Sequence, residues 1–381
     1  MKHNHFPGRL SRMRTLSHIA FLPRNKKRMS KVLTQPSRTL YSTPLRGISA
    51  LAIEAGSRIL IHFSFSCFWR QFFKSKAQIL LCLLLLSGTA QAATPLKIGV
   101  LLIEDSVPLY VAEQEDFFTE QSLEVELVPF LSALERDSAL IAGAIDGAVA
   151  DPVGAILFDK GRGILQITSL LLGETPGEGL FAILASPKSD IKEVEDLKNV
   201  EIAVSSATII EYVTDRLLEE QGFTPGEIKT VEVKKMPIRM QMLLSNSVKA
   251  ATLPEPLASI AVSKGARILI SDAASAQSLS QTVMVFHSDV LKERRDDIAA
   301  FFRGLTKGVQ AINSSPETYR DLFLEKGRIP PFLADYVIPR YPLPAPFSRE
   351  LYDPIIDWLA PKKLVGRLPY ESMVSTDFLA E

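Results

Sequence analysis

The chain has 381 residues and, with 43 basic and 43 acidic side chains, a formal net charge of zero. The charge is unevenly distributed, because residues 1–92 hold 15 of the basic side chains and a single acid, Glu54. Subtracting these from the totals leaves 28 basic and 42 acidic side chains, a net charge of −14. A region this acidic is repelled by nucleic acid and by anionic membranes, so the sequence predicts neither as a partner.

Residues 77–95, AQILLCLLLLSGTAQAATP, resemble a secretory signal peptide with its cleavage site. A basic segment that includes Arg70 precedes the apolar run 79–86, and Ala90-Gln91-Ala92 supplies the small residues that signal peptidase requires. The apolar run of about eight residues is far shorter than the roughly twenty that span a bilayer. We expect cleavage after Ala92 and a periplasmic or secreted protein. The upstream part is either a long leader or the product of a mis-assigned start codon.

The distribution of cysteine and histidine argues against catalysis. Both cysteines, Cys67 and Cys82, precede the predicted cleavage site, so we expect no disulfide, cysteine nucleophile or thiolate metal site in the mature protein. His287 is the one histidine after that site, on a predicted strand that favours a core or hinge role. Metalloprotease, hydrolase, P-loop and dinucleotide motifs are missing from the sequence. The sequence therefore predicts a protein that is not an enzyme and uses no metal or cofactor.

From residue 96 onward, short apolar runs alternate with amphipathic stretches, a pattern typical of parallel sheets covered by helices. The first half predicts strands at 96–103, 123–130, 147–151, 164–172 and 181–186, and helices at 106–120, at 133–144 and up to 158. The second half predicts strands at 200–206, 230–236, 249–253, 266–271 and 282–287, and helices at 208–221, 238–245 and 256–264. Most of the remainder is predicted to be helical, with proline-rich breaks.

Two segments, LFAILASPKSDIKEVEDL and VMVFHSDVLKERRDDI, share one design. Each is an apolar strand that runs into a Ser/Asp-rich turn and then a charged helix. Two crossings between lobes would produce such a pair, and two ordinary strand-to-helix turns are the alternative. The crossing hypothesis places a hinge near Ser186 and Ser288, about which the lobes would close on a ligand.

The segment 108–151 carries a family pattern in four pieces: Ala112, Phe117-Phe118, Leu123-Glu124-Val125-Glu126 and Asp146-Gly147-Ala148. It resembles the first lobe of periplasmic solute-binding proteins of the NMT1/THI5-like group, which includes binding proteins for sulfonates, nitrate and pyrimidine precursors of thiamine. Segments 202–223 and 250–269 are similar to the second lobe. Asp116 and Ser122 stand where the family usually has glycine, and Asp tolerates the left-handed conformation better than most residues.

This resemblance implies the type II periplasmic binding protein fold, with two α/β lobes joined by two crossing strands and a ligand cleft between them. The implied boundaries are 96–185 plus 288–381 for lobe 1 and 186–287 for lobe 2. The implied function is to capture a small molecule as a monomer and deliver it to the permease of an ABC-type importer. The alternatives are a ligand-sensing module of the same fold and, less favoured, a THI5-like pyrimidine synthase.

Ligands of open α/β sheets bind beyond the carboxyl ends of the strands, so the loops after the strands supply the candidate ligand-binding residues. Some of their hydroxyl groups are also explained by helix capping alone. The candidates are Asp105, Ser106, Leu109, Ser132, Asp151, Pro152, Ser205, Ser206, Thr208, Glu211, Glu255 and Pro256.

The charges of these candidates indicate a ligand class. Asp105, Asp151, Glu211 and Glu255 are acidic, whereas Arg239 is the one comparable base. For Glu211 two hypotheses remain open: an ion pair with Arg239, or a contact with a positive group of the ligand, a role that Glu255 could share. We therefore expect a ligand with an amine or a hydrogen-bonding nitrogen heterocycle.

Overall fold

A computed structural model of the chain describes residues 94–333 and 335–379, and the predicted signal peptide and its cleavage site lie outside the described residues. The strands are β1 Leu96–Leu101, β2 Val125–Phe130, β3 Gly147–Ala150, β4 Leu165–Leu172, β5 Phe181–Ala185, β6 Glu201–Val204, β7 Lys229–Glu232, β8 Ala250–Pro254, β9 Arg267–Ser271 and β10 Thr282–His287. The α-helices are α1 Val107–Gln114, α2 Ala133–Ile141, α3 Pro152–Asp159, α4 Ile209–Glu220, α5 Met236–Leu244, α6 Leu257–Ser263, α7 Ser288–Glu293, α8 Arg295–Ser314, α9 Arg320–Lys326, α10 Arg349–Leu359 and α11 Tyr370–Met373.

Two sheets form the framework of the described residues. The first has the strand order β2-β1-β3-β10-β4 and the second β7-β6-β8-β5-β9. In each sheet three strands that alternate with helices pair in parallel, and a strand entering from the other lobe is inserted antiparallel. The chain thus has the two-lobed α/β architecture predicted from the sequence.

The lobe boundaries differ from the sequence prediction by one strand at each crossing. The prediction assigns β5 to lobe 1 and β10 to lobe 2. In the structure Phe181 of β5 pairs with Pro254 in the second sheet, and Phe286 of β10 pairs with Gly147 in the first. The reason is that both strands are apolar and buried on each side, a pattern that does not reveal which sheet they join.

The connections between the lobes therefore precede β5 and β10, in segments 173–180 and 272–281. They bind each other at the base of the cleft: Asp272 accepts hydrogen bonds from the N–H groups of Leu180 at 3.3 Å and Phe181 at 2.9 Å. The predicted hinge residues lie inside the lobes instead. Ser186 N–H donates to Lys249 in lobe 2 and Ser288 N–H to Ile164 in lobe 1.

Local details of lobe 1 agree with the family pattern. Asp116 and Ser122, which stand where relatives have glycine, have φ angles of +57° and +58°. These are left-handed conformations that glycine adopts without strain. His287 ends β10 and caps α7, where its Nδ1 accepts the N–H of Asp289 at 3.3 Å.

The C-terminal segment, residues 345–379, packs on the rest of lobe 1. Ser375 N–H donates to Ile167 of β4 at 2.9 Å, and Leu170 of the same strand pairs with Ala345. Within the part of the chain that the structure describes, no helix has the length and apolar character needed to cross a membrane.

Candidate functional site

A small cavity of about 40 Å³ lies between the two lobes. Leu101 and Ala150 bring the carboxyl ends of β1 and β3 to it from lobe 1, and Ser205 and Pro254 bring those of β6 and β8 from lobe 2. One water molecule needs roughly 10–15 Å³ of such volume. The cavity therefore takes only a few water-sized groups, and a larger ligand requires the lobes to separate.

Asp105 supplies a carboxylate to the cavity from the turn after β1. Its oxygens accept hydrogen bonds from the hydroxyl groups of Ser106 at 2.8 Å and Thr282 at 3.5 Å. Burial raises the pKa of Asp105 to about 6, although both hydroxyls and the nearby Arg136 oppose the rise. The carboxylic acid of Asp105 therefore loses its proton near pH 6. A positive neighbour would favour the ionised form.

Arg136, the fourth residue of α2, is the buried cation of the site and is 2% exposed. Its Nε donates to Asp137 at 2.7 Å and its Nη1 to the carbonyl of Val149 at 2.9 Å. Its Nη2 lies 3.7 Å from Asp151, without a hydrogen bond among the described residues. Burial raises the pKa of Asp137 to about 6 and also raises that of Asp151, against the effect of Arg136. One guanidinium thus serves several carboxyl groups.

The loop that begins α4 has its backbone donors occupied by the protein's own carboxylates. Ser206 N–H donates to Glu232 at 2.9 Å, and Ala207 N–H donates to Glu211 at 2.7 Å. Thr208 caps the helix with its hydroxyl oxygen. A helix N-terminus with free N–H groups binds anions, but here the groups are already used.

Asp151 of lobe 1 binds the N-terminus of α4 in lobe 2. It caps α3 by accepting the N–H of Gly154 at 2.7 Å, and it also accepts the N–H of Ile209, the first residue of α4, at 3.2 Å. At the rim, Lys235 and Glu135 add an exposed ion pair across the lobes at 3.1 Å. The two lobes are therefore joined across the cleft by direct contacts.

The structure brings four of the predicted site residues to the cavity lining: Asp105, Asp151, Ser205 and Thr208. Whether they bind a ligand stays a prediction. The candidates that do not line this cavity are Ser106, Leu109, Ser132, Pro152, Ser206, Glu211, Glu255 and Pro256.

Of the two hypotheses for Glu211, the ion pair with Arg239 is wrong. Glu211 pairs with Lys362 at 3.1 Å, a residue of the C-terminal segment. Arg239 donates to the carbonyls of Val233 at 2.8 and 3.0 Å and Thr252 at 3.1 Å. Burial lowers the pKa of Arg239 to about 10. Both residues are thus committed to protein partners.

Glu255 likewise faces its own helix. Its carboxylate accepts the N–H of Ser259 at 3.2 Å and the hydroxyl of the same residue at 3.0 Å. The neighbouring Pro254 lines the cavity instead. The rule that ligand residues follow strands selects a loop beside the cavity but not the direction of each side chain.

Sequence reasoning missed four charged or polar residues that line the cavity: Arg136, Lys234, Gln281 and Thr282. Arg136 lies one turn inside α2, Lys234 lies between β7 and α5, Gln281 ends the second connection and Thr282 begins β10. A comparison of the two lobes would have found Arg136, because Arg239 holds the same position in α5.

A wider groove of about 730 Å³ shares Ser205 and Thr208 with the cavity. Phe158 and Arg162 line it from lobe 1, and Leu364 lines it from the C-terminal segment. The loop before α4 thus separates the cavity from the surface on this side.

Comparisons with known proteins agree with this architecture. The family described as NMT1/THI5 like matches residues 104–319, more than half of the chain. A comparison with curated protein sequences finds no match.

Solved structures show the same fold. The alkanesulfonate-binding protein SsuA from Xanthomonas axonopodis pv. citri, bound to MOPS, has a TM-score of 0.64 and 18% identity, and the match covers 74% of this chain and 99% of that chain. The periplasmic nitrate-binding protein NrtA from Synechocystis PCC 6803 has a TM-score of 0.57 and 13% identity, over 75% and 87%. A mutant of the enzyme DszB in complex with biphenyl-2-sulfinic acid has a TM-score of 0.52 and 12% identity, over 74% and 97%. All three likenesses support the periplasmic binding protein fold.

Proposed function

Because the chain belongs to the NMT1/THI5-like family, we propose that it is a monomeric solute-binding protein that captures a small molecule between its lobes in the periplasm. The proposal includes delivery of that molecule to the permease of an ABC-type importer. Support comes from similar structures that are binding proteins for alkanesulfonate and nitrate. It also comes from the cavity at the carboxyl ends of strands from both lobes.

We propose further that the ligand presents an amine or a hydrogen-bonding nitrogen heterocycle. The carrying observation is Asp105, a carboxylate at the cavity whose hydrogen-bond partners are the hydroxyls of Ser106 and Thr282. The charged residues that line the cavity are Asp105, Asp151, Arg136 and Lys234, and Arg136 is already shared between Asp151 and Asp137. A positive group of the ligand placed beside Asp105 would favour the ionised form of this carboxyl group.

A plain oxyanion is disfavoured by the same geometry. The N–H groups before and at the start of α4 already bind Glu232, Glu211 and Asp151. A sulfonate or nitrate at this helix end would have to displace a carboxylate and would place negative charge near Asp105 and Asp151. This separates the proposed ligand from those of the two binding proteins above.

The test measures binding of defined probes to the purified protein by calorimetry and thermal shift. Butylamine and 4-aminopyrimidine represent the proposed class, and ethanesulfonate and nitrate the opposed class. We expect an amine to bind, and its affinity to rise between pH 5 and 7, because Asp105, with a pKa of about 6, becomes ionised in this range while an alkylamine stays protonated. Asp105→Asn should weaken amine binding at pH 7 by about tenfold or more and remove the pH dependence.

Asp190→Asn is the matched control, since Asp190 is an exposed acid of lobe 2 that pairs with Lys249 at the surface. It should leave amine binding unchanged. Binding of ethanesulfonate or nitrate with no response to either amine probe would overturn the ligand class while leaving the solute-binding role intact.

Delivery is tested separately from binding. Deletion of the gene should abolish uptake of a bound probe supplied at a concentration near its Kd, and a plasmid copy should restore uptake. Uptake that persists in the deletion strain, together with binding by the pure protein, would favour the sensing module over the importer component.

A further inference from the structure

The C-terminal segment belongs to lobe 1 but also contacts lobe 2. Within lobe 1 it is anchored through β4, and the hydroxyl of Tyr352 donates to the carbonyl of Leu368 at 3.1 Å. From this anchored base, α10 and the turn after it reach α4 of the other lobe. The C-terminal segment thus adds a link between the lobes to the two hinge connections and to the contacts of Asp151 and Lys235.

The link from the C-terminal segment to lobe 2 includes an aromatic contact and a partly buried charge cluster. Trp358 donates through Nε1 to Asp215 of α4 at 2.9 Å, and its ring lies edge-on to Tyr212 with centroids 5.4 Å apart. Lys362 binds Asp215 at 2.6 Å and Glu211 at 3.1 Å. The side chains of Asp215, Glu211 and Lys362 are 10%, 16% and 34% exposed. Ion pairs whose carboxylates are largely buried are less screened than fully exposed pairs.

Glu211 connects this cluster to the loop at the cavity. One of its oxygens binds Lys362, and the other accepts the N–H of Ala207 at 2.7 Å. Ala207 has a φ of +57°, a left-handed conformation that is unfavourable for a residue with a Cβ atom. The hydrogen bond from Ala207 N–H to Glu211 therefore stabilises this conformation of the loop. The residues on either side of the Ser206–Ala207 pair, Ser205 and Thr208, line the cavity.

We propose that Trp358 and Lys362 are positioning residues for ligand capture. They hold α4 and the loop before it in the closed arrangement, through Asp215 and Glu211, without touching the ligand. Separation of the lobes on this side then requires release of Lys362, and Leu364, two residues further on, lines the outer groove beside the same loop. This role goes beyond the proposed function and does not depend on the ligand class.

The experiment compares backbone amide exchange by mass spectrometry in full-length chains without ligand. In Lys362→Met the peptide covering 205–212 should exchange about fivefold faster than in the wild type, because its N–H groups lose the support of the cluster. Peptides from β1 and β6 should be unchanged. Lys362→Arg keeps the charge and should restore most of the protection.

Arg367→Met provides the matched control. Arg367 pairs with Asp357 inside the C-terminal segment and makes no hydrogen bond or ion pair with α4 among the described residues. The control should not change exchange at 205–212. Trp358→Phe, which keeps an aromatic ring but removes the donor to Asp215, should accelerate exchange as Lys362→Met does.

Equal exchange at 205–212 in Lys362→Met and the wild type would overturn the proposal. Uniformly faster exchange throughout lobe 1 would also overturn it, because it would show a general loss of stability. A failure of the amine probes to bind would leave this result unaffected, so the two proposals are judged independently.

Discussion

The two lobes contain the same buried arginine in different surroundings. Arg136 is the fourth residue of α2 and Arg239 the fourth residue of α5. Each donates through Nη1 to the carbonyl of the third residue of a central strand, Val149 in β3 and Thr252 in β8, at 2.9 and 3.1 Å. In both lobes an arginine thus joins the helix to the carboxyl-terminal half of a strand.

The difference between them lies in charge. Arg239 binds carbonyl oxygens of Val233 and Thr252, whereas Arg136 faces Asp137 and Asp151. Only Arg136 lines the cavity. The buried arginine therefore joins a helix to a strand in both lobes, and in lobe 1 it also holds Asp137 and Asp151 at the candidate site.

The largest expected effect comes from removing these arginines one at a time. Arg136→Met should lower the free energy of unfolding by about 3–5 kcal/mol at pH 7, because it leaves buried carboxylates without their cation. Arg239→Met should lower it by about 1–3 kcal/mol, the cost of a buried acceptor without a donor. Urea denaturation of both variants measures the difference.

The control is the pH dependence of the stability lost in Arg136→Met and in Arg239→Met. The folded-state pKa of Asp137 is about 6, above its ordinary value of 3.8, so the folded state binds a proton in this window and gains stability as the pH falls. Without Arg136 the pKa of Asp137 rises further, and the gain in folding stability at low pH becomes larger. The deficit of Arg136→Met should therefore shrink from pH 7 to pH 4.5, while that of Arg239→Met stays constant. Parallel pH profiles would contradict the comparison.

A second contrast concerns the first residue of the central strand in each sheet, which pairs with the inserted antiparallel strand. Gly147 of β3 pairs with Phe286, and Ala250 of β8 pairs with Ala185. A Cβ atom on Gly147 would lie 2.5 Å from Phe286 Cδ1. Gly147→Ala should therefore lower the free energy of unfolding by about 1–3 kcal/mol through overpacking, as measured by urea denaturation.

Partial rescue tests the cause of that loss. Phe286→Leu in the Gly147→Ala background should recover part of the lost stability, because the smaller side chain makes room for the methyl group. An equal loss with and without Phe286→Leu would show that the clash is not responsible.

The smallest effect is expected at the rim of the cleft. Glu135 and Lys235 form an ion pair between the lobes at 3.1 Å, but their side chains are 43% and 48% exposed. Glu135→Gln should not measurably change the melting temperature or the amide exchange at 205–212, since exposed pairs are screened by solvent and salt. An effect as large as that of Lys362→Met would show that closure depends on the rim and not on the C-terminal segment.

Much of the fold could be predicted because its signals are local. Alternating apolar runs mark the strands, and Ser132, Asp151 and Thr208 each accept a backbone N–H within the first turn of the helix they precede. Asp105 could be assigned to the cavity for a similar reason, since it lies in the turn that follows the first strand. Such features depend on neighbours a few residues away, so the sequence alone determined them.

Only the tertiary structure decided which lobe each inserted strand joins and which acid pairs with which base. Glu211 binds Lys362 across 151 residues, and Asp151 meets Ile209 only because two lobes close on each other. Ionic and hydrogen-bond energies depend on distance in space, and periodicity along the chain carries no information on that distance. The partners of Glu211 and Arg239, and with them the closed cleft, therefore became known only from the fold.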